Sequence, residues 1–242
     1  MYVNEIHLAT DLDGTLIGDD NSLRILNSHL SELRTKNLLK LAYITGRSLE
    51  LYRQLASDKS LLAPDVLVTA VGTEIYWNGT DLSDDWPTDI EWDRKVIVNA
   101  LSDLPGLTSQ PKSEQRPYKV SYYLKNNLKV LGLVRKKLSH YSVDILYSHQ
   151  EYLDILPRGI NKGSALTYLS SHWNISKNNI IACGDSANDI DMLSISNAVI
   201  VGNARQELID WVSTHNSKIN IYLAKRSYAA GIDEGLKYFR SL

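Results

Sequence analysis

The chain has little that would tie it to an oxidising compartment, a membrane or a polyanion. Only one of its 242 residues is a cysteine, Cys183, so no disulfide can form within the chain and a reducing compartment fits. No apolar run approaches the roughly 20 residues of a membrane helix. The formal net charge of −2 argues against general attraction to nucleic acid or to an anionic membrane surface. Residues 1–5 lack the basic start of a signal peptide, so we expect a cytoplasmic protein.

Strand-like apolar runs alternate with helical patterns at both ends of the chain. A buried strand is expected just before Asp11, and Leu23, Leu26, Leu30 and Leu33 then recur at helical spacing behind Ser22, the expected N-cap. This alternation predicts parallel strands joined by right-handed helical crossovers. The further strands are predicted at 39–45, 66–71, 179–183 and 198–201, and the further helices at 49–56, 163–173 and 189–195.

The middle of the chain has a different pattern. Residues 78–93 are rich in Asp, Thr, Trp and Gly and are expected to form a loop. Two helical patterns, around Ile97 and Val134, then follow, together with strands predicted at 118–124, 143–147 and 152–156. In the first of these strands polar and apolar residues alternate, which is typical of a sheet with one covered face. We interpret this part as an α+β insert in a doubly wound α/β domain. The predicted division is 1–78 and 158–242 for the core and 79–157 for the insert.

Two carboxylates, Asp11 and Asp13, follow the first predicted strand directly. Gly14 lets the chain bend there, so both acids can lie in one small site at the strand's end. Like charges that close need a cation or a shared proton. Mg²⁺ prefers oxygen ligands and commonly uses one or two protein carboxylates. A strand end followed by an ordinary Asp-Gly turn remains the alternative.

Polar residues also follow other predicted strands, and in open α/β sheets ligands bind beyond the carboxyl ends of the strands. The segment Thr45-Gly46-Arg47 opens a helix and suits an oxyanion, although it could be only a helix cap. The segment from Gly184-Asp185 to Asn188-Asp189 brings two more acids and an amide, with a capped turn as the alternative. Lys162 precedes a helix where the chain returns from the insert. Together these elements predict a phosphoryl-transfer site, because that chemistry needs a nucleophile, cationic groups and a proton donor.

The order of these motifs resembles the haloacid-dehalogenase-like (HAD) superfamily, and the insert resembles its C2-type cap. Closer still, three further segments resemble the cyanobacterial-type sucrose-phosphatase family. They are 70–76 with Gly72-Thr73-Glu74, 118–122 with Lys119, Ser121 and Tyr122, and 154–163 with Asp154, Pro157 and Lys162. The resemblance covers nearly the whole chain. It implies a Rossmann-like parallel-sheet core with an α+β cap, and a Mg²⁺-dependent phosphatase acting on sucrose 6F-phosphate.

The resemblance also implies a role for each motif residue. Asp11 is expected as the nucleophile that forms an aspartyl-phosphate, and Asp13 as the general acid and base. Mg²⁺ is expected on the Asp11 carboxylate, the Asp13 carbonyl and Asp185, with Asn188 and Asp189 behind these ligands or acting through water. Phosphate contacts are expected from Thr45, Gly46, Arg47, Lys162 and Asn188. Sugar contacts are expected, from their positions in the cap and at its junction with the core, for Gly72, Thr73, Glu74, Lys119, Tyr122 and Asp154, with ordinary packing inside the cap as the alternative for Tyr122.

Other functions remain open on the sequence. They are phosphatase activity on another glycosyl phosphate, such as mannosyl-phosphoglycerate or mannosylfructose phosphate, a hexose phosphomutase, and a non-catalytic module associated with sucrose-phosphate synthase. The clustered acids argue against the last, because a scaffold has no physical need for them. We expect a monomer that acts on a small sugar phosphate, without nucleic-acid or membrane partners; sucrose-phosphate synthase is the one possible protein partner.

Overall fold

The computed structural model describes residues 5–82, 85–87, 90–148, 150–215 and 220–240. The strands are β1 Ile6–Thr10, β2 Leu39–Ile44, β3 Val66–Thr69, β4 Glu74–Trp77, β5 Thr80–Asp81, β6 Thr108–Ser109, β7 Val120–Tyr123, β8 Val143–Ser148, β9 Tyr152–Pro157, β10 Ile180–Gly184, β11 Asn197–Ile200 and β12 Ile221–Leu223. The helices are α1 Asp20–Thr35, α2 Leu49–Lys59, α3 Arg94–Leu101, α4 Leu128–Lys137, α5 Lys162–His172, α6 Ile190–Leu193, α7 Gln206–His215 and α8 Tyr228–Arg240. Within the described ranges, no helix combines the length and apolar character needed to cross a bilayer.

The larger sheet has the strand order β12-β11-β10-β1-β2-β3-β4-β5. It is parallel from β12 to β3, and β4 and β5 add antiparallel strands at one edge. Strand β1 is central, since Leu8 lies opposite Ile181 of β10 on one side and Leu41 of β2 on the other. The carboxyl ends of these three parallel strands therefore meet at one edge of the sheet.

Each face of this sheet is covered by helices, as expected of a doubly wound fold. Successive residues of a strand point to opposite faces, and Leu8 packs in an apolar cluster with Leu26 of α1 and Leu236 of α8. Its neighbour Ala9 packs on the other face, in a cluster that includes Leu166 of α5. The predicted α/β core is confirmed.

The smaller sheet is antiparallel, with the order β6-β7-β9-β8. Its apolar face packs against α3 and α4 in a cluster that contains Ile97, Val134 and Tyr122. The opposite face is polar at its centre, where Ser121 of β7 lies opposite Asp154 of β9 and donates a 2.6 Å hydrogen bond to it. This half of the molecule, here called the cap, has the α+β composition that the sequence predicts.

Several local predictions differ from the structure. Helix α1 begins at Asp20 with Asp19 as its N-cap, whose carboxylate accepts a hydrogen bond from the amide of Ser22, so the prediction that Ser22 is the cap is wrong. The loop predicted over 78–93 contains β5, which pairs with β4 in the larger sheet. The domain boundaries at 78 and 158 stay predictions. Residues 83, 84, 88 and 89 of that loop lie outside the described ranges.

Candidate active site

The acid loop follows β1 without a break. The amide of Asp11 donates to the carbonyl of Cys183 in β10 at 3.0 Å, which continues the sheet pairing up to the first acid. The loop then turns at Gly14, where φ is +84°, a conformation that glycine adopts without strain. A Cβ atom on Gly14 would lie 2.6 Å from Oδ2 of Asp185. The missing side chain therefore lets the two acidic loops approach each other.

Asp11 and Lys162 form a buried ion pair. Asp11 is 4% exposed and Lys162 is fully buried. Lys162 stands in the first turn of α5 and donates to Oδ1 of Asp11 at 2.6 Å and to Oδ1 of Asp189 at 2.7 Å. Burial lowers the pKa of Lys162, but the two carboxylates outweigh burial and raise it, so its ammonium stays charged.

Asp189 holds the second acidic loop together. Its Oδ2 accepts hydrogen bonds from the amides of Asp185 and Ser186 at 3.0 and 3.1 Å, while its Oδ1 contacts Lys162. Asp185 accepts a 3.0 Å hydrogen bond from the hydroxyl of Thr15 in the acid loop. Burial, followed by the charge of Asp189, raises the pKa of Asp185 to about 7.

These acids are suited to a divalent cation. Oxygen atoms of Asp11, Asp185 and Asp189 all lie within 4.8 Å of one another, and all three residues are buried. Three carboxylates face one ammonium here, so the buried cluster can be fully ionised only with further positive charge. Burial raises the pKa of Asp11 well above its ordinary range despite the opposing charge of Lys162. A hard divalent ion with oxygen ligands would supply this charge.

Asp13 has a different partner from Asp11, although the two acids are two residues apart. Its carboxylate is 45% exposed and forms a two-pronged ion pair with Arg47, with Nε to Oδ2 and Nη2 to Oδ1 both at 2.7 Å. Planar pairing of this kind is among the stronger charge-assisted contacts. Hydrogen bonding to Asp13 outweighs desolvation and raises the pKa of Arg47.

The loop after β2 lies beside Asp13. Thr45 is fully buried, and its hydroxyl accepts a 3.1 Å hydrogen bond from the amide of Arg47. The side chain of Ser48 caps α2 by accepting from the amide of Leu51. This arrangement places a hydroxyl and the start of a helix next to the acid loop, which is a suitable environment for an oxyanion.

A cavity of about 570 Å³ separates the core from the cap and opens above these residues. Residues from both halves of the molecule line it. The core contributes Asp11, Asp13, Gly14, Gly46, Arg47, Leu51, Asn188 and Arg205, and the cap contributes Gln110, Pro111, Ser113, Glu114, Lys119, Tyr123, Ser148, Tyr152 and Asp154.

The structure brings only some of the predicted sugar-contacting residues to this cavity. Lys119 and Asp154 line it, with Nζ of Lys119 3.7 Å from Oδ1 of Asp154. Tyr122 lies elsewhere: it points to the apolar face of β7 and packs in the cap core. Tyr123, its neighbour on the opposite face, lines the cavity instead, as strand alternation requires.

The predicted segment 72–74 also lies away from the cavity wall. Gly72 packs against the backbone of Asn161, which a Cβ atom would approach to 2.3 Å. Thr73 turns its hydroxyl to the carbonyl of Ala70 at 3.0 Å. Glu74 is 8% exposed, and side chains of its own protein occupy both of its carboxylate oxygens.

Some lining residues were not predicted from the sequence. Arg205 follows β11, so the strand-end rule that identified the other motifs also applies to it. Tyr152 lies opposite Tyr123 in the pairing of β7 with β9 and shares a strand face with Asp154, so the alternation within β9 could have indicated it. Gln110, Glu114 and Ser148 carry no comparable pattern.

Comparison with known proteins agrees with this geometry. Residues 4–240 match the family model described as sucrose-6F-phosphate phosphohydrolase. Sucrose-phosphatase 1 of Nicotiana tabacum is 37% identical over 96% of this chain, and the chain spans 58% of that relative's length. A sucrose-phosphatase from Synechocystis sp., solved with sucrose and phosphate, superposes with a TM-score of 0.88, 31% identity and 98% coverage of both chains.

A more distant likeness supports the fold. A HAD subclass IIB sugar phosphatase has a TM-score of 0.72 at 16% identity, and the match covers 98% of this chain and all of the other. The fold of this chain is thus shared with proteins of low sequence identity. The chain belongs to the sucrose-6F-phosphate phosphohydrolase family.

Proposed function

We propose that this protein is a Mg²⁺-dependent phosphatase that hydrolyses sucrose 6F-phosphate to sucrose and inorganic phosphate. One observation carries the proposal: a buried carboxylate, Asp11, held by Lys162, lies at the floor of a cavity whose opposite wall is the polar face of the cap. Family membership and the sucrose and phosphate bound by the Synechocystis relative support the choice of substrate. The cavity volume also lies in the range of small-ligand sites.

Asp11 is assigned as the nucleophile. Lys162 holds Oδ1 at 2.6 Å, so Oδ2 is the atom that attacks phosphorus. The bond from phosphorus to the sugar oxygen breaks as the aspartyl-phosphate forms. In the second half-reaction water attacks the same phosphorus, the Asp11–phosphorus bond breaks, and Asp11 is regenerated as a carboxylate.

Asp13 moves the protons in both half-reactions. It donates a proton to the leaving sugar oxygen, and it then takes one from the attacking water. The contact with Arg47 holds the Asp13 carboxyl group turned aside before substrate binds, and the proton taken from water restores Asp13 for the next turnover. The phosphoryl group competes for the Arg47 guanidinium, which frees Asp13 to reach the leaving oxygen.

The remaining polar groups bind the phosphoryl oxygens and the cation. Lys162, the hydroxyl of Thr45 and the amides at the start of α2 surround the expected position of the phosphate. Asp11, Asp185 and the main-chain carbonyl of Asp13 would hold Mg²⁺, with Asp189 and Asn188 behind them. When bound, the cation neutralises charge on the phosphoryl oxygens during transfer.

The test is a screen for phosphate release by the purified chain in Mg²⁺, using sucrose 6F-phosphate, mannosylfructose phosphate, mannosyl-phosphoglycerate and hexose phosphates. We expect the highest kcat/KM for sucrose 6F-phosphate and no requirement for a bisphosphate activator. A bisphosphate requirement with retention of phosphate on the sugar would indicate a mutase instead. Equal rates for all sugar phosphates would contradict the substrate assignment.

The remaining proposals concern the cellular setting. We propose a monomeric cytoplasmic enzyme that can associate with sucrose-phosphate synthase but does not need it for turnover. Light scattering of the purified chain tests the monomeric state, and activity without added synthase tests whether turnover needs the synthase.

A further inference from the structure

One motif from the sequence, Glu74 with the segment before it, does not line the cavity. Glu74 begins β4 at the edge of the core, and its Oε2 accepts hydrogen bonds from the hydroxyls of Thr69 at 2.8 Å and Tyr76 at 3.4 Å. Its Oε1 accepts from Nε of Arg116 at 2.6 Å. Arg116 belongs to the cap, so this ion pair joins the two halves of the molecule.

Arg116 lies at one end of a tight cap turn. Its amide donates to the carbonyl of Lys119 at 3.1 Å, and the amide of Lys119 donates back at 3.2 Å. The turn is held from the cap side, because Nε1 of Trp92 donates to the carbonyl of Pro117 at 2.7 Å and Nε of Arg94 donates to that of Arg116 at 3.2 Å. Residues 116–119 therefore form one hydrogen-bonded unit with the cap.

The other end of this turn also contacts the core. Lys119 is 2% exposed, and its ammonium donates to the carbonyl of Gly46 at 3.1 Å and to Oε2 of Glu114 at 3.2 Å. Gly46 lies between Thr45 and Arg47 in the loop assigned to phosphate binding. A single cap turn thus makes two polar contacts with the core, one at each end.

The two core contacts are themselves linked through strained backbone. Ala70 and Val71 have φ of +50° and +61°, and strain of this kind persists only where the surroundings enforce it. Their amides donate to the carbonyls of Arg47 and Thr45 at 2.8 and 3.0 Å. The segment before Glu74 is therefore bonded directly to the loop that Lys119 contacts.

We propose that Glu74 and Arg116 are positioning residues that seat the cap on the core and so hold Lys119 over the phosphate-binding loop. This inference rests on the proposed function and deepens it: the pair governs recognition of the sugar end and not the phosphoryl transfer. Glu74 itself does not touch the sugar. Its carboxylate anchors the cap turn, because its buried oxygens are already shared among Thr69, Tyr76 and Arg116.

The test compares two substrates in three variants, Glu74→Gln, Arg116→Met and the double variant. For sucrose 6F-phosphate we expect kcat/KM to fall about tenfold or more, mainly through KM. For p-nitrophenyl phosphate, which has no sugar for the cap to hold, we expect a change within about twofold. The double variant should lose no more than the worse single variant, since both changes break one interaction.

The matched control is Lys137→Met, which breaks an exposed 2.6 Å ion pair with Asp103 inside the cap. It should leave kcat/KM unchanged for both substrates. Equal losses of kcat/KM for the two substrates in Arg116→Met would indicate a general structural role and overturn the proposal. Unchanged sucrose 6F-phosphate kinetics in all three variants would also overturn it.

A second measurement does not depend on turnover. Spin labels at Gln54→Cys in α2 and Lys136→Cys in α4 occupy exposed positions in core and cap, and the native Cys183 is buried away from label. We expect the distance distribution between the labels to broaden in Arg116→Met and to stay narrow in Lys137→Met. An unchanged distribution in Arg116→Met would contradict the inference. Failure of the proposed function would be visible separately, as wild-type protein that releases no phosphate from any sugar phosphate.

Discussion

At the scale of single residues, the site depends on giving two identical side chains different surroundings. Asp11 is buried and paired with the ammonium of Lys162, whereas the side chain of Asp13 is 45% exposed and paired with the guanidinium of Arg47. A buried, fixed carboxylate is suited to attack, and an exposed one that can exchange partners is suited to carry protons. The environment, more than the residue type, separates the two proposed roles.

Asp11→Asn should abolish turnover without unfolding the protein. Loss of the attacking oxygen is expected to lower kcat by at least about 10³-fold. The melting temperature in EDTA should stay equal or rise, because the change removes one carboxylate from a buried cluster that has more acids than cations and leaves Lys162 paired with Asp189. Phosphate release and thermal denaturation measure the two effects. Near-wild-type turnover would contradict the assignment of the nucleophile.

Asp13→Asn should discriminate between substrates by their leaving groups. Hydrolysis of sucrose 6F-phosphate is expected to slow by about 10²- to 10⁴-fold, because the sugar oxygen leaves poorly without a proton. p-Nitrophenolate leaves well unprotonated, so formation of the aspartyl-phosphate from p-nitrophenyl phosphate should be affected much less. A rapid-quench burst of p-nitrophenol measures that step. Loss of the burst would contradict the role of Asp13 as acid.

The outcome for Tyr122 shows what residue-level prediction lacks. The alternation in 118–124 places Lys119 and Tyr122 on opposite faces of a strand, so one cavity cannot receive both side chains. Deciding between the faces requires knowing where α3 and α4 pack, and that depends on contacts distant in sequence. The motif residues at strand ends needed no such knowledge.

At the scale of elements, the carboxyl ends of β1, β2 and β10 place the motifs in a common site. The alternation of strands and helices indicates parallel strands joined by helical crossovers, which is why the class of this part of the fold could be predicted, whereas the order of its strands is known only from the structure. The short strands β5, β6 and β12 could not be predicted, because they have two or three residues each, too few to show a period of two. Helices α7 and α8 were not predicted, although their apolar residues recur at helical spacing, at Leu208 and Val212 and at Ile232 and Leu236.

The approach of the acid loop to the loop after β10 can be tested at Gly14. Gly14→Ala should reduce activity and Mg²⁺ affinity strongly, because its Cβ would lie 2.6 Å from Oδ2 of Asp185. The control is Gly79→Ala. Gly79 has nearly the same φ, +82°, but no atom within 4 Å of its Cβ position.

The two alanine variants separate backbone strain from steric conflict. Both should lose about 1 kcal/mol of stability from the positive φ, and only Gly14→Ala should lose activity and metal affinity. Denaturant unfolding, phosphate release and isothermal titration with Mg²⁺ measure these effects. Equal activity in the two variants would show that the contact between the acidic loops is not needed.

At the scale of the whole molecule, the charge cluster links pH, cation binding and folding. The net charge of the chain is only −2, so bulk electrostatics contribute little, and the effect comes from the buried acids. The pKa of Asp185 is raised to about 7 in the folded protein, from an ordinary value of 3.8. Between these values the folded state binds more protons than the unfolded state, so stability falls as pH rises towards 7.

Metal-free protein should therefore become more stable as the pH falls from 8 to 6, measured against Asp185→Asn so that other titrating groups cancel. With saturating Mg²⁺ the trend should reverse, because protons compete with the cation for the same carboxylate and the cation stabilises the folded state that binds it. Thermal denaturation of both proteins across this pH range, in EDTA and in Mg²⁺, measures the direction of the pH dependence of stability in each buffer. Parallel trends in the two buffers would mean that Asp185 does not take part in cation binding, and the cation would then have to be held by Asp11, the main-chain carbonyl of Asp13 and Asp189.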